Sequence, residues 1–190
     1  MRIIGGTSRG LHLATVGAGD AAAHLRPTSD RVREAIFNLL INGGYGNPVA
    51  GARVLDLFAG TGALGLEALS RGAAHATFIE TGAPALALIK HNITLMRAEG
   101  KTTVLKRDAT NSGAGSPHSL VFLDPPYGKS LGQSAISVAA ANGWLSPDAL
   151  IVWEEGVKPA VPQGFDELDQ RRYGDTFVTI LTVSVPKAAS

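Results

Sequence analysis

The sequence predicts a doubly wound α/β fold. It comprises a mostly parallel seven-stranded sheet, a closing C-terminal antiparallel hairpin and a small N-terminal β-hairpin and helix extension. Three observations predict it. From Arg53 onward, short apolar runs alternate with helix-patterned stretches at the spacing of β–α units. A glycine-rich turn, Gly60-Thr61-Gly62-Ala63-Leu64-Gly65, joins the first of these runs to a helical stretch. The last two runs are separated only by Tyr173-Gly174-Asp175, a hairpin turn, so the sheet ends antiparallel.

The elements follow in order. Ile3–Ile4 and Leu11–Leu13 flank Gly5-Gly6-Thr7-Ser8-Arg9-Gly10, the pattern of a β-hairpin, and a small-residue stretch follows at Gly17–Ala21. Arg26-Pro27-Thr28-Ser29-Asp30 supplies a proline and N-cap residues. Beyond it Val32, Ile36, Phe37 and Leu40 share one helical face, and Gly43-Gly44 ends the helix. Strands are expected at Val54–Phe58, Ala76–Glu80, Thr102–Lys106, Leu120–Leu123, Leu150–Trp153, Phe165–Arg172 and Thr176–Val185. Helices are expected at Ala63–Arg71, Pro84–Arg97 and Leu131–Ala141. The segment Asn111–Ser116, low in complexity, reads as a mobile linker. Residues 1–24 form the extension and residues 25–190 the main domain.

Composition narrows the chemistry. The chain has 190 residues, 45% of them hydrophobic and 17% charged, enough for one domain with a sizeable core. It contains no cysteine, which removes disulfides, cysteine-held metal clusters and thiol nucleophiles. The net charge of +1 gives no global basic field. No apolar stretch reaches the roughly 18 residues of a membrane span, and the N-terminus lacks the apolar run of a secretory signal. The expectation is a soluble cytoplasmic monomer without membrane contact.

Gly60-x-Gly62-x-x-Gly65 between strand and helix lets the backbone approach a ligand closely, and Glu80, about twenty residues on, is placed to bind the two hydroxyls of a ribose. NAD and S-adenosylmethionine both carry such a ribose, so this pair does not separate them. Asp56 does. Dinucleotide sites keep apolar residues there because an acid repels the pyrophosphate, whereas S-adenosylmethionine carries a sulfonium and an ammonium and no phosphate. Asp108, just past the third strand, is a candidate acceptor for an adenine amino group, or equally a loop acid capping the next segment.

Asp124-Pro125-Pro126-Tyr127 follows a buried-type strand at the sheet edge where open α/β folds bind ligands. A nucleobase amino group is a poor nucleophile because its lone pair is delocalised into the ring. The Asp124 carboxylate and the Pro125 carbonyl are suited to receive its two hydrogens, and the prolines hold that carbonyl rigidly. Tyr127 offers a flat face to an unstacked base. Carbon-5 methylation of pyrimidines by the covalent route needs a cysteine and is excluded.

At this point the sequence resembles a known group. Asp56-x-Phe58-x-Gly60-Thr61-Gly62, Glu80 and Asp124-Pro125-Pro126-Tyr127 look like the class I S-adenosylmethionine-dependent amino-methyltransferases, a Rossmann-like fold. More narrowly, four segments resemble the bacterial 16S ribosomal RNA guanine-N2 methyltransferases of RsmD type: Arg2–Gly6, Leu25–Glu34, Phe58–Gly72 and Arg172–Thr176. The resemblance implies methylation of a guanine N2 in a small-subunit rRNA loop, conventionally position 966, with S-adenosylmethionine as cofactor. It also implies a cofactor set of Asp56, Phe58, Gly60, Thr61, Gly62, Glu80, Asp108, Ala109 and Asp124, with Asp124, Pro125, Pro126 and Tyr127 catalytic.

Residues 1–35 carry Arg2, Arg9, Arg26, Arg31 and Arg33 against Asp20, Asp30 and Glu34, a local balance of +2. If they converge on the open sheet edge they form a phosphate-binding patch for RNA; otherwise they are a solvated face. His12, His24, His75, His91 and His118 show no metal-ligand pairing, Trp144 and Trp153 read as core, and no metal is expected. Three other readings remain: an amino-methyltransferase acting on DNA or protein glutamine, a non-catalytic RNA-binding assembly factor, and a dehydrogenase. A DNA reader usually carries a sizeable target-recognition insertion, for which this length leaves no room. Intact Asp124, Gly60, Gly62 and Glu80 oppose catalytic decay, and Asp56 with Asp-Pro-Pro-Tyr opposes the dehydrogenase.

Overall fold

A computed structural model describes residues 1–15 and 29–184. The elements are α1 (Asp30–Asn42), β1 (Arg53–Leu57), α2 (Ala63–Ser70), β2 (His75–Glu80), α3 (Ala83–Met96), β3 (Thr102–Lys106), β4 (His118–Leu123), α4 (Leu131–Ala141), β5 (Leu145–Glu155), β6 (Phe165–Tyr173) and β7 (Thr176–Val183). Two short 3-10 turns, Glu99–Lys101 and Ala109–Asn111, were not legible in the sequence.

The seven strands form one sheet in the order β3-β2-β1-β4-β5-β7-β6. β1 to β5 are mutually parallel, and β7 runs antiparallel to both β5 and β6. The order reverses between β1 and β4. At such a switch the loops leaving the two strands diverge to opposite faces and open a crevice at their carboxyl ends. Insertion of β7 between β5 and β6 separates this sheet from the six-stranded dinucleotide-binding order.

Local chemistry accounts for the boundaries. The Ser29 hydroxyl accepts the Val32 amide at 3.2 Å and starts α1, whose Val32, Ile36, Phe37 and Leu40 are buried, and Gly43 closes it through the Leu39 carbonyl. β5 is longer than expected. It begins at Leu145 and not at Leu150, and a register shift between His118 and Leu120 accommodates Ser146-Pro147-Asp148 beside β4. At the far end β5 runs on through buried Glu154 and Glu155 to the ligand-binding edge.

Alternate residues of the strands feed two cores. Val54, Phe78, Phe122, Val152 and Ile180 pack with α1, while Leu55, Ile79, Val121, Ile151 and Leu181 pack with α4. Trp144 and Trp153 are buried in the second core as expected, and His118 is buried, bonded to Thr77 and the Trp144 carbonyl.

The N-terminal hairpin forms. Ile3 donates to the Leu11 carbonyl and Gly10 to the Ile3 carbonyl, both at 2.9 Å, and Arg2 bridges His12. It does not stand apart, because Ile3 and Leu13 belong to the same apolar core as α1. Buried Glu67 of α2 accepts the amides of Ile4 and Gly5, each at 2.8 Å, while Ser70 accepts from Ser8 and donates to the Gly5 carbonyl. The proposed boundary at residues 24 and 25 lies outside the described residues, as do the Gly17–Ala21 stretch, His24 and Val185.

The linker expectation is corrected. Ser112 is fully buried, and Arg107 donates to its carbonyl at 2.7 Å. The Gly113 carbonyl receives the Trp144 indole N–H at 2.7 Å. Small residues are used here because Gly115 lies flat against the Trp144 ring.

Candidate functional site

The carboxyl ends of β1, β2, β3 and β4 surround one cleft of about 680 Å³. The loop after β1 forms its floor. Phe58 and Gly60 adopt left-handed φ of 59° and 56°, a turn held by Glu80, whose Oε2 accepts the Gly60 amide at 2.8 Å. The other Glu80 oxygen accepts from Thr81 and Gly82, both at 2.8 Å. Each oxygen has two lone pairs; Oε1 uses both and Oε2 uses one, so Glu80 keeps one acceptor position toward a ribose hydroxyl.

Phe58, Gly60 and Thr61 line the cleft, whereas Gly62 does not. Gly62 is buried at the N-cap of α2 with φ 77°, and a Cβ there would lie 3.4 Å from Ile89 and Phe78, facing the core. The glycine is needed for the turn. Gly65 serves packing: a Cβ would come within 2.5 Å of the Phe78 ring and 3.1 Å of Asp56 Oδ2.

Asp56 reaches the cleft floor but is only 1% exposed, and its Oδ2 accepts the Gly65 amide at 2.9 Å. Burial, partly opposed by that hydrogen bond and reinforced by Glu80, pushes its pKa up to about 8. The residue therefore does not act at neutral pH as the full negative charge expected from the sequence. The acidity of the cleft comes from Glu80, Asp108 and Asp124, against Arg107 and Lys129. The balance remains acidic with Asp56 discounted, which suits a cationic ligand and opposes a pyrophosphate.

Asp108 is the loop acid capping the next segment, one of the two roles left open for it, and it also faces the cleft. Its Oδ1 accepts the Thr110 amide at 2.8 Å and hydroxyl at 2.7 Å, capping the 3-10 turn, and its exposed carboxylate lines the cleft next to buried Ala109.

Asp124, Pro125, Pro126 and Tyr127 all lie on the wall that continues β4. Pro125 is buried, Pro126 exposed, and Asp124 and Tyr127 half-buried. The Tyr127 hydroxyl donates to Glu154 at 3.2 Å and lies 3.4 Å from the Thr176 hydroxyl. Burial in the first place pushes that hydroxyl above its ordinary pKa, so it stays protonated.

The arginines divide. Arg2, Arg9 and Arg31 are exposed. Arg26 lies outside the described residues. Arg33 is corrected: it is fully buried, bonded to the Arg2 carbonyl, and paired with Asp30 at 2.9 Å and with buried Glu67 at 3.6 Å, so it holds the hairpin to α1 and cannot reach a phosphate. Its position in α1, on the same face as Ile36, Phe37 and Leu40, was the available signal.

Arg107, Lys129 and Glu154 were missed. Arg107 and Lys129 flank motifs already noted and were legible as neighbours. Glu154 is distant in sequence and reaches Tyr127 only because β5 pairs beside β4.

Comparison with known proteins agrees with this geometry. Residues 1–182 match the family model described as conserved hypothetical protein 95. The ribosomal RNA small subunit methyltransferase D of Escherichia coli K12 is 42% identical over 164 residues, 85% of this chain and 78% of that protein. The protein of the same name from Haemophilus influenzae is 38% identical over 181 residues, 92% of this chain and 89% of that protein. The solved structure of Escherichia coli yhhF superposes with a TM-score of 0.81 at 38% identity, covering 96% of this chain and 97% of that one. The chain belongs to this family, that of the small-subunit ribosomal RNA methyltransferases of RsmD type.

Proposed function

We propose that this chain methylates the exocyclic N2 of a guanine in 16S rRNA of the small ribosomal subunit, with S-adenosylmethionine as cofactor. The observation that carries the reading is that the glycine loop, Glu80 and Asp124-Pro125-Pro126-Tyr127 share one acidic cleft at the switch point of the sheet. The names of the relatives supply the rRNA.

The residues present fit the cofactor. Glu80 keeps one acceptor position, on Oε2, for a ribose hydroxyl, the backbone at Gly60 leaves room for close approach, and Asp108 and Ala109 line the same cleft and would take the adenine. The bound cofactor supplies a methyl group activated by its positive sulfur. The chain's part is orientation. The Asp124 carboxylate and the Pro125 carbonyl accept the two N2 hydrogens, which draws the nitrogen toward tetrahedral geometry and frees its lone pair for in-line attack. The surplus proton leaves to Asp124 or to water. Tyr127 supports the base, which must be extruded or unpaired to enter. Exposed Arg2, Arg9 and Arg31, together with Arg26, contact RNA phosphates. We infer a cytoplasmic monomer; among the described residues no helix is long and apolar enough to cross a membrane.

The test is transfer of a tritiated methyl group to small subunits lacking the modification, followed by nucleoside analysis. Label in N2-methylguanosine is expected. Label in adenosine or cytidine, or no label, overturns the proposal.

A further inference from the structure

The polar end of Tyr127 leaves the cleft and enters the protein, where two features of other strands meet it. Glu154, at the end of β5 and 4% exposed, accepts the phenolic proton at 3.2 Å. Thr176, the first residue of β7, brings its hydroxyl to 3.4 Å. Behind the ring stands Gly156, where a Cβ would come 2.7 Å from Tyr127 Cδ2 and 3.2 Å from Cε2. The phenol end is thus tied and the ring backed by bare backbone.

A carboxylate buried at this depth carries a desolvation cost, which one structural hydrogen bond to a half-buried tyrosine does not explain. Its value lies in fixing one ring orientation before substrate arrives, since a base-stacking platform works only if its plane is preset. We propose that Glu154 is a positioning residue for the target base: through the Tyr127 hydroxyl, with Gly156 behind, it sets the plane of the Tyr127 ring against which the extruded guanine rests. The proposal rests on the rRNA methyltransferase reading and deepens it. It also makes the Tyr127 hydroxyl a tether and removes it from the proton-transfer chemistry.

The experiment compares Glu154→Leu, Glu154→Gln, Tyr127→Phe and the Glu154→Leu/Tyr127→Phe double variant for methyl transfer to unmodified small subunits, with cofactor affinity measured by calorimetry. Glu154→Leu is expected to lower kcat/KM about tenfold or more at unchanged cofactor affinity, and Glu154→Gln, which keeps an acceptor oxygen, to recover most of the loss. The double variant should be no worse than the worse single one, because both break one bond. Wild-type kcat/KM in Glu154→Leu, or additive losses in the double variant, overturns the proposal. Should Glu154→Leu fail to fold, Gly156→Ala tests the same point by pushing the ring forward with no polar group removed. A loss in kcat/KM at unchanged cofactor affinity supports the proposal, and normal turnover refutes it.

A second readout needs no substrate. In 3-fluorotyrosine-labelled protein, the fluorine resonance of Tyr127 should shift in Glu154→Leu while those of Tyr45 and Tyr173 stay in place. An unshifted Tyr127 line refutes the tether even if the wild-type protein methylates subunits. Conversely, a wild-type protein that transfers no methyl group sinks the rRNA reading without touching the fluorine result.

Discussion

Glu80 Oε2 accepts the amide of Gly60 at 2.8 Å, so the acid ending β2 holds the turn that ends β1. The residue that is to bind the ribose also shapes the loop over which the cofactor lies, and its second oxygen fastens the start of α3 through Thr81 and Gly82. Glu80→Ala should therefore weaken S-adenosylmethionine binding about ten- to hundredfold, the scale of one or two charge-assisted hydrogen bonds, and should lower the melting temperature as well. Calorimetry with a thermal melt checks both. A loss of affinity without any loss of stability would mean that the loop holds its shape unaided.

Asp56 ties stability to pH. Its carboxyl is raised from 3.8 to about 8 by burial. Between those values the folded chain holds a proton that the unfolded chain has released, so stability falls as pH rises through this window and levels off above it. Below the lower value the contribution is fully present. Asp56→Asn keeps an acceptor for the Gly65 amide and removes the titration. Denaturant unfolding from pH 4.5 to 8.5 should show the wild type losing stability relative to the variant, and parallel curves would place an ionised carboxylate at this site throughout.

Asp124→Ala should reduce methyl transfer at least about a hundredfold while leaving cofactor affinity within a few-fold, because its carboxylate acts on the acceptor amine. Asp124→Asn, which keeps one acceptor oxygen, should lie between. The measurement is single-turnover transfer beside calorimetry. Near-normal turnover in the alanine variant would remove Asp124 from the chemistry.

Arg31 and Arg33, two residues apart in α1, should respond in opposite ways to charge reversal. Arg31→Glu is expected to leave stability within about 0.5 kcal/mol and to weaken subunit binding in a salt-dependent manner, lowering the slope of log K against log salt by about one. Arg33→Glu places a second acid beside buried Glu67 and should cost about 3 to 5 kcal/mol, releasing the N-terminal hairpin from α2. Filter binding across salt concentrations and chemical denaturation distinguish the two.

The order of elements, the switch-point loop, Glu80 and Asp124-Pro125-Pro126-Tyr127 were all legible in the sequence. Each is written in contiguous residues: apolar runs of strand length, glycines where φ must be positive, and prolines that stop a strand. The family was legible for the same reason, since its signature segments are contiguous. What depended on side chains brought together from far apart was not legible. The helical face shared with Ile36, Phe37 and Leu40 sets Arg33 apart from Arg31, but only the packing of α1 against the hairpin and α2 supplies the buried Glu67 that makes it an interior ion-pair partner. Asp56 reads as a charge, and only its enclosure beneath Gly65 makes it a neutral carboxyl. Glu154 reads as a strand-end acid, and only strand pairing delivers it to the hydroxyl of Tyr127. Local conformational preference resides in neighbouring residues and survives as sequence. Desolvation and charge pairing depend on which distant groups share a volume, and that volume exists only once the chain has folded.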